Sequence, residues 1–177
     1  METMLHPPKT ALELFKILPE GTPCQLINNH IIMSPSPKWK HQDIVATILT
    51  AFRNFLLKNN FGKVLSDVDV YLNEENVYRP DVLFIANEQM QILGDDGYIH
   101  GAPLLVIEVL SQGTAAYDKK EKKEMYAACG VREYWLVDQT TLQCTGFKNE
   151  NGIFTETSKT QEYFILHSFD LTIQLVS

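Results

Sequence analysis

A glutamate set inside an apolar run constrains this chain more than any other feature. Residues 104–110 read LLVIEVL, short and apolar enough to be a central strand covered on both faces. Glu108 interrupts the run, and a carboxylate buried there is costly unless something pairs with it. Strand alternation places Glu108 on the face of Leu104, Val106 and Leu110. The fold must therefore bring a cation or a hydrogen-bond donor to that face.

The neighbours in sequence suggest where such partners come from. Downstream, Tyr117 to Cys129 has a helical pattern closed by Gly130, and EYWLVD at 133–138 reads as the next strand, which together make a strand–helix–strand crossover. On that helix Asp118, Lys122, Tyr126 and Cys129 follow at four- and three-residue steps and share one face. Upstream, KVLSDVDVYLN at 63–73 reads as a strand, and a polar turn at Asn73–Asn76 leads to RPDVLFIA at 79–86 as its antiparallel neighbour. Asp81 opens that neighbour.

The remaining chain gives conventional signals. Thr10 and Glu13 are spaced as a capping box for a short helix that stops before Pro19 and Gly21. CQLIN and HIIM form a hairpin around Asn28–Asn29. After SPSP at 34–37, a helix from Lys38 to Lys58 carries the apolar stripe Ile44, Val45, Ile48, Leu49, Phe52, Phe55 and Leu56. His41 falls on that stripe with Gln42 beside it. A second hairpin turns at Asn151–Gly152, and YFIL and LTIQLV are closing strands, the last ending at Val176. These elements define an α/β class, and the 177 residues read as one domain.

Composition narrows the partners. With 15 Lys and Arg against 22 Asp and Glu, the formal charge is −7, so holding a nucleic acid requires a local basic surface, a metal ion or an oligomer. No apolar run is long enough for a membrane helix, and METMLHPPKT has no apolar signal core, which places the protein in the cytoplasm by default. Cys24, Cys129 and Cys144 form no CxxC pair, so neither a disulfide framework nor a cysteine zinc site is indicated.

Asp81, Glu108 and Lys122 can be assembled into one constellation. Two carboxylates with open coordination positions suit a hard cation, Mg2+ or Mn2+, with the backbone carbonyl of Val109 as a further oxygen. A lysine beside them can orient water and offset charge developing on a phosphate. Asp118, His41, Gln42, Tyr126 and Gln25 are supporting or substrate-contact candidates.

Taken in order, RPDV, IEVLS, D-x-x-x-K-x-x-x-Y and GVREYWLVD resemble the Uma-type putative restriction endonuclease family, a branch of the PD-(D/E)XK nuclease-like fold. The resemblance reaches back through QLINNHIIMSPSP and HQ and covers about Leu12 to Val176. It implies a restriction endonuclease-like α/β core, a central mixed β-sheet flanked by helices, with an N-terminal hairpin and C-terminal β-strands. It further implies Asp81 and Glu108 as metal ligands, with the motif lysine displaced from the position of Leu110 to Lys122. Gln25 stands where the family hairpin carries glutamate, and Asn29 where it carries glycine. The expected activity is metal-dependent hydrolysis of phosphodiester bonds in DNA, with a homodimer as a candidate assembly. The alternatives are a nucleic-acid-binding or oligomeric protein that keeps the fold without cutting.

Overall fold

Capping and turn chemistry set the first elements of the computed structural model, which describes residues 7–111 and 113–175. Helix α1 (Ala11–Ile17) starts where Glu13 N donates to Thr10 Oγ1 at 3.1 Å, while Glu13 Oε2 accepts from Lys9 N at 2.6 Å. Strands β1 (Cys24–Ile27) and β2 (His30–Met33) form the expected hairpin. Its turn residues Asn28 and Asn29 have φ of 48° and 63°, a left-handed pair that asparagine tolerates best among residues with a Cβ. Helix α2 (Trp39–Leu56) buries His41, Ile44, Val45, Ile48 and Phe52 along one face.

The segment expected as a single strand at 63–73 divides in two. Strand β3 (Gly62–Leu65) ends, the chain turns at Asp67 with φ of 52°, and β4 (Val70–Asn73) enters a different sheet. The polar turn therefore joins β4 to β5 (Asn76–Tyr78), and β6 (Val82–Ala86) takes β3 and β8 as its neighbours. A left-handed residue at Asp67 redirects the backbone, which alternation alone does not register.

Strands β7 (Ile99–His100) and β8 (Leu105–Leu110) follow, then two short helices, α3 (Ala115–Lys119) and α4 (Glu121–Ala128). The helix expected to be continuous from Tyr117 to Cys129 breaks at Lys120, whose φ and ψ are −129° and −83°. Strands β9 (Glu133–Asp138), β10 (Gln143–Glu150), β11 (Ile153–Gln161), β12 (Tyr163–Leu166) and β13 (Leu171–Gln174) complete the described chain. Val176 and the first six residues lie outside it.

The central sheet has six strands in the order β11-β10-β9-β8-β6-β3, parallel at β8–β9 and antiparallel elsewhere. This is the mixed sheet flanked by helices. On one face α2 and the β12–β13 hairpin bury Ile48, Phe52, Phe84, Ile107, Trp135 and Phe164. On the other, α4 and the five-stranded sheet β2-β1-β5-β4-β7 bury Tyr78, Leu83, Val106, Tyr126 and Tyr134. Glu108 lies on this second face, toward the helices after β8. Among the described residues no helix is long and apolar enough to cross a membrane, and the three cysteines are free.

Candidate active site

Strand pairing brings the two acidic candidates together. Val82 stands opposite Ile107 in the antiparallel β6–β8 ladder, so the next pair outward is Asp81 and Glu108, at the end of the sheet where β8 and β9 terminate. Pro80, which cannot donate to a ladder, precedes Asp81 and leaves it at the threshold of the strand. Backbone groups hold the pair in place: Val109 N donates to Asp81 Oδ2 at 2.7 Å, and Asp81 N approaches Glu108 Oε2 at 3.4 Å. The Asp81 side chain is 23% exposed, whereas Glu108 is 3% exposed.

The second oxygen of Glu108 faces a cation. Lys122 Nζ lies 2.5 Å from Glu108 Oε1, and Tyr126 Oη donates to the same oxygen at 3.0 Å. Lys122 is itself 2% exposed, lies 2.9 Å from Asp118 Oδ1, and sits 5.7 Å from the centroid of the Tyr78 ring. Asp118 Oδ1 is buried, with the Lys122 ammonium as its charged neighbour. The Asp118 backbone carbonyl accepts from Tyr134 Oη at 2.9 Å. Asp118, Lys122 and Tyr126 thus converge on Glu108 despite the break at Lys120, while Cys129 is half-buried and its thiol turns to Met125 Sδ at 3.6 Å.

His41 reaches the site from α2, its Nε2 3.2 Å from Asp81 Oδ1. Burial of the imidazole opposes its charged form, but the hydrogen bond and charge of Asp81, with the Val109 backbone, raise it above the ordinary histidine value. Gln25 makes no hydrogen bond to Asp81 or Glu108 among the described residues. Its Oε1 accepts from Arg79 N at 2.9 Å and its Nε2 reaches Ser34 at 3.3 Å, so it anchors the segment that delivers Asp81. Gln42 is exposed on the cavity wall, with no side-chain hydrogen bond among the described residues.

The electrostatics follow from charge counting. Asp81, Glu108 and Asp118 face one ammonium, Lys122, and the His41 imidazole. Burial raises the Glu108 carboxyl to about 8; Lys122 opposes this, and the Asp118 and Asp81 charges add to it. Burial works against a charged Lys122, but the flanking Asp118 and Glu108 carboxylates dominate and hold it as the ammonium. Burial, reinforced by the Glu108 charge, keeps the Tyr126 hydroxyl protonated.

A cavity of about 1240 Å³ opens over this cluster, walled by Gln25, His41, Asp81, Glu108, Asp118 and Lys122 among others. Among the described residues no three His, Cys, Asp or Glu side chains are already gathered as a metal cluster. The donor set nevertheless fits a hard divalent cation: carboxylates outnumber the ammonium, one Asp118 oxygen is buried without a directed donor, and the Asp81 and Glu108 donors are oxygens. Tyr78 and Tyr134, which wall in Lys122 and Asp118, were not among the expected site residues. The signal for Tyr134 is its register: it pairs with Val106 in the β8–β9 ladder, two residues along from the Glu108–Leu136 pair and on the same face.

The sequence matches the Uma2 family, described as Putative restriction endonuclease, over residues 12–175. A crystal structure of a putative nuclease belonging to DUF820 from Anabaena variabilis superposes with a TM-score of 0.78 at 20% identity, covering 95% of this chain and 96% of that one. At that identity the likeness is one of fold, a mixed α/β nuclease-like architecture. No curated protein matches the sequence.

Proposed function

The chain belongs to the Uma2 putative restriction endonuclease family, and on that premise we propose that it is a metal-dependent nuclease that hydrolyses phosphodiester bonds in DNA. The observation that carries the reading is the pairing of Asp81 with Glu108 across adjacent strands, with Lys122 in contact with Glu108 at the base of an open cavity. The cavity exceeds the roughly 300–1,000 Å³ of small-molecule pockets, which suits a segment of polymer. The whole chain acts as one nuclease unit in this reading.

Asp81, Glu108 and the Val109 carbonyl are the groups that would hold Mg2+ or Mn2+. When bound, the ion supplies a more acidic water and neutralises charge on the phosphate. The protein's own groups do the rest. Lys122 and Tyr126 fix Glu108 through Oε1 and leave Oε2 toward Asp81. His41 and the Val109 amide orient Asp81. Lys122 stays protonated, so it contributes positive charge near the scissile phosphate rather than accepting a proton.

The test is plasmid cleavage with Mg2+, with Mn2+ and with EDTA, in wild type and in Glu108→Gln. Metal-dependent cutting that the variant loses supports the assignment; equal cutting by a clean Glu108→Gln preparation removes Glu108 from it. A second reading, a nucleic-acid-binding protein that does not cut, draws on Gln25 in its anchoring role at the family's glutamate position. Binding of DNA without cleavage in either metal would establish that reading instead. Cutting both strands of a duplex calls for two sites, so a homodimer is part of the proposal. A monomeric mass by light scattering with DNA present would remove it.

A further inference from the structure

The lip of the cavity carries a cluster that the cleavage site does not use. Lys38, Trp39 and Lys40 lie where the 34–37 segment enters α2, and all three border the cavity. Trp39 is 74% exposed, whereas Trp135 is 1% exposed and packs on Phe164. No aromatic ring among the described residues stacks on Trp39; its partner is Lys40, with Nζ 5.7 Å from the ring centroid. Helix α2 begins without a side-chain cap and with no acidic residue in its first turn, so its free N–H groups and the positive end of its dipole meet the same lip. His41, 7% exposed, lines the same wall, and its Nδ1 has no partner among the described residues.

We propose that this lip is a binding site for an unpaired nucleotide next to the scissile phosphate, its base stacked on Trp39 and its phosphate met by Lys38, Lys40 and the start of α2. The inference rests on the nuclease reading and adds the form of the substrate. A chain of charge −7 that holds a polyanion needs a local concentration of positive charge, and two lysines flanking an exposed ring at the cavity mouth supply it. Aromatic faces bind bases with little regard to sequence. The base must be out of a duplex, because neighbouring bases cover its faces when it is stacked within one. A protein partner is a poorer match: Lys38 and Lys40 flank the ring in sequence and Lys40 lies over it, a cationic setting that complements a polyanion.

Trp39 and Trp135 are the two tryptophans of the sequence, so emission reports the proposal directly. The experiment titrates a short oligothymidylate into wild type, Trp39→Phe and Trp39→Ala, with calcium in place of magnesium. It follows tryptophan emission and the anisotropy of a labelled strand, and repeats the titration with a blunt duplex. The expected result is quenching in wild type and none in Trp39→Phe, where buried Trp135 alone emits. Trp39→Ala should bind the single strand roughly tenfold more weakly, Trp39→Phe should retain most of the affinity, and duplex affinity should change less than twofold. Lys38→Gln and Lys40→Gln should each lower the salt slope by about one. Wild-type binding with unchanged emission, and with Trp39→Ala binding equally well, overturns the lip site and leaves the nuclease reading standing. Absence of any wild-type anisotropy change with either nucleic acid overturns both. An emission change that depends on protein concentration without nucleic acid assigns the ring to a second copy and overturns the lip site.

Discussion

Lys122 is held between Glu108 and Asp118, and removing it leaves both carboxylates buried without their cation. Losing one partner of a buried pair costs about 3–5 kcal/mol, so above pH 8, where Glu108 is ionised, Lys122→Met should lower unfolding stability in urea by that amount. Adding Glu108→Gln removes one of the stranded charges. The double variant should then be more stable than the sum of the singles by about 0.5–3 kcal/mol; strict additivity would mean that the ion pair does not couple in solution. Proton balance at Glu108 gives a second prediction. Its folded carboxyl, at about 8, lies above the unfolded value of about 4.3. Protonated Glu108 therefore favours the fold at low pH, and this contribution is lost as pH rises toward the folded value. A divalent ion must displace that proton, so affinity for Mn2+ should rise by about tenfold per unit between pH 6 and 8 and then level off. Calorimetry in buffers of different ionisation heat should detect about one proton released per ion at pH 7. No release would remove Glu108 from the ligand set.

At the scale of elements, β9 and β10 meet where Gly146 stands opposite Trp135, beside the register shift between β10 and β11. A Cβ on Gly146 would lie 2.6 Å from two carbons of the indole, and Trp135 is wedged in the core and cannot yield. Gly146→Ala should therefore cost about 1–3 kcal/mol of stability by overpacking, read as a lower urea midpoint with unchanged metal affinity. A neutral substitution would mean that the ring has another rotamer available. The run around Glu108, the stripe on α2 and the turn at Asn151–Gly152 follow local rules of burial, periodicity and turn chemistry, and they fold as those rules state. The division of 63–73 between two sheets and the break at Lys120 do not: Asp67 N bonds to Pro80 O at 3.3 Å across the β4–β5 hairpin, a contact between distant residues, and Lys120 carries no glycine or proline signal. At the site, the spacing of Asp118, Lys122 and Tyr126 was legible as one helix face. The anchoring of Arg79 by Gln25 was not, since it joins residues 54 positions apart.

For the whole molecule, the charge of −7 and the buried excess of carboxylate make opposite demands on added ions. Any salt screens surface repulsion, whereas a divalent ion ligated by Asp81 and Glu108 stabilises the folded state by mass action. At about 100 times its dissociation constant such an ion adds about 2.7 kcal/mol, which for a chain of this length raises the melting temperature by about 5–10 °C. Magnesium should produce that rise in wild type. Sodium chloride at the same ionic strength should produce much less, and Asp81→Asn should lose the difference while keeping the sodium response. An equal rise with both salts would assign the stabilisation to screening of the acidic surface and leave Asp81 without a metal. A rise that survives Asp81→Asn would move the ion toward Asp118, whose buried oxygen lacks a directed donor. The melting curves thus locate the cation before any substrate is known, because they read the charge imbalance itself.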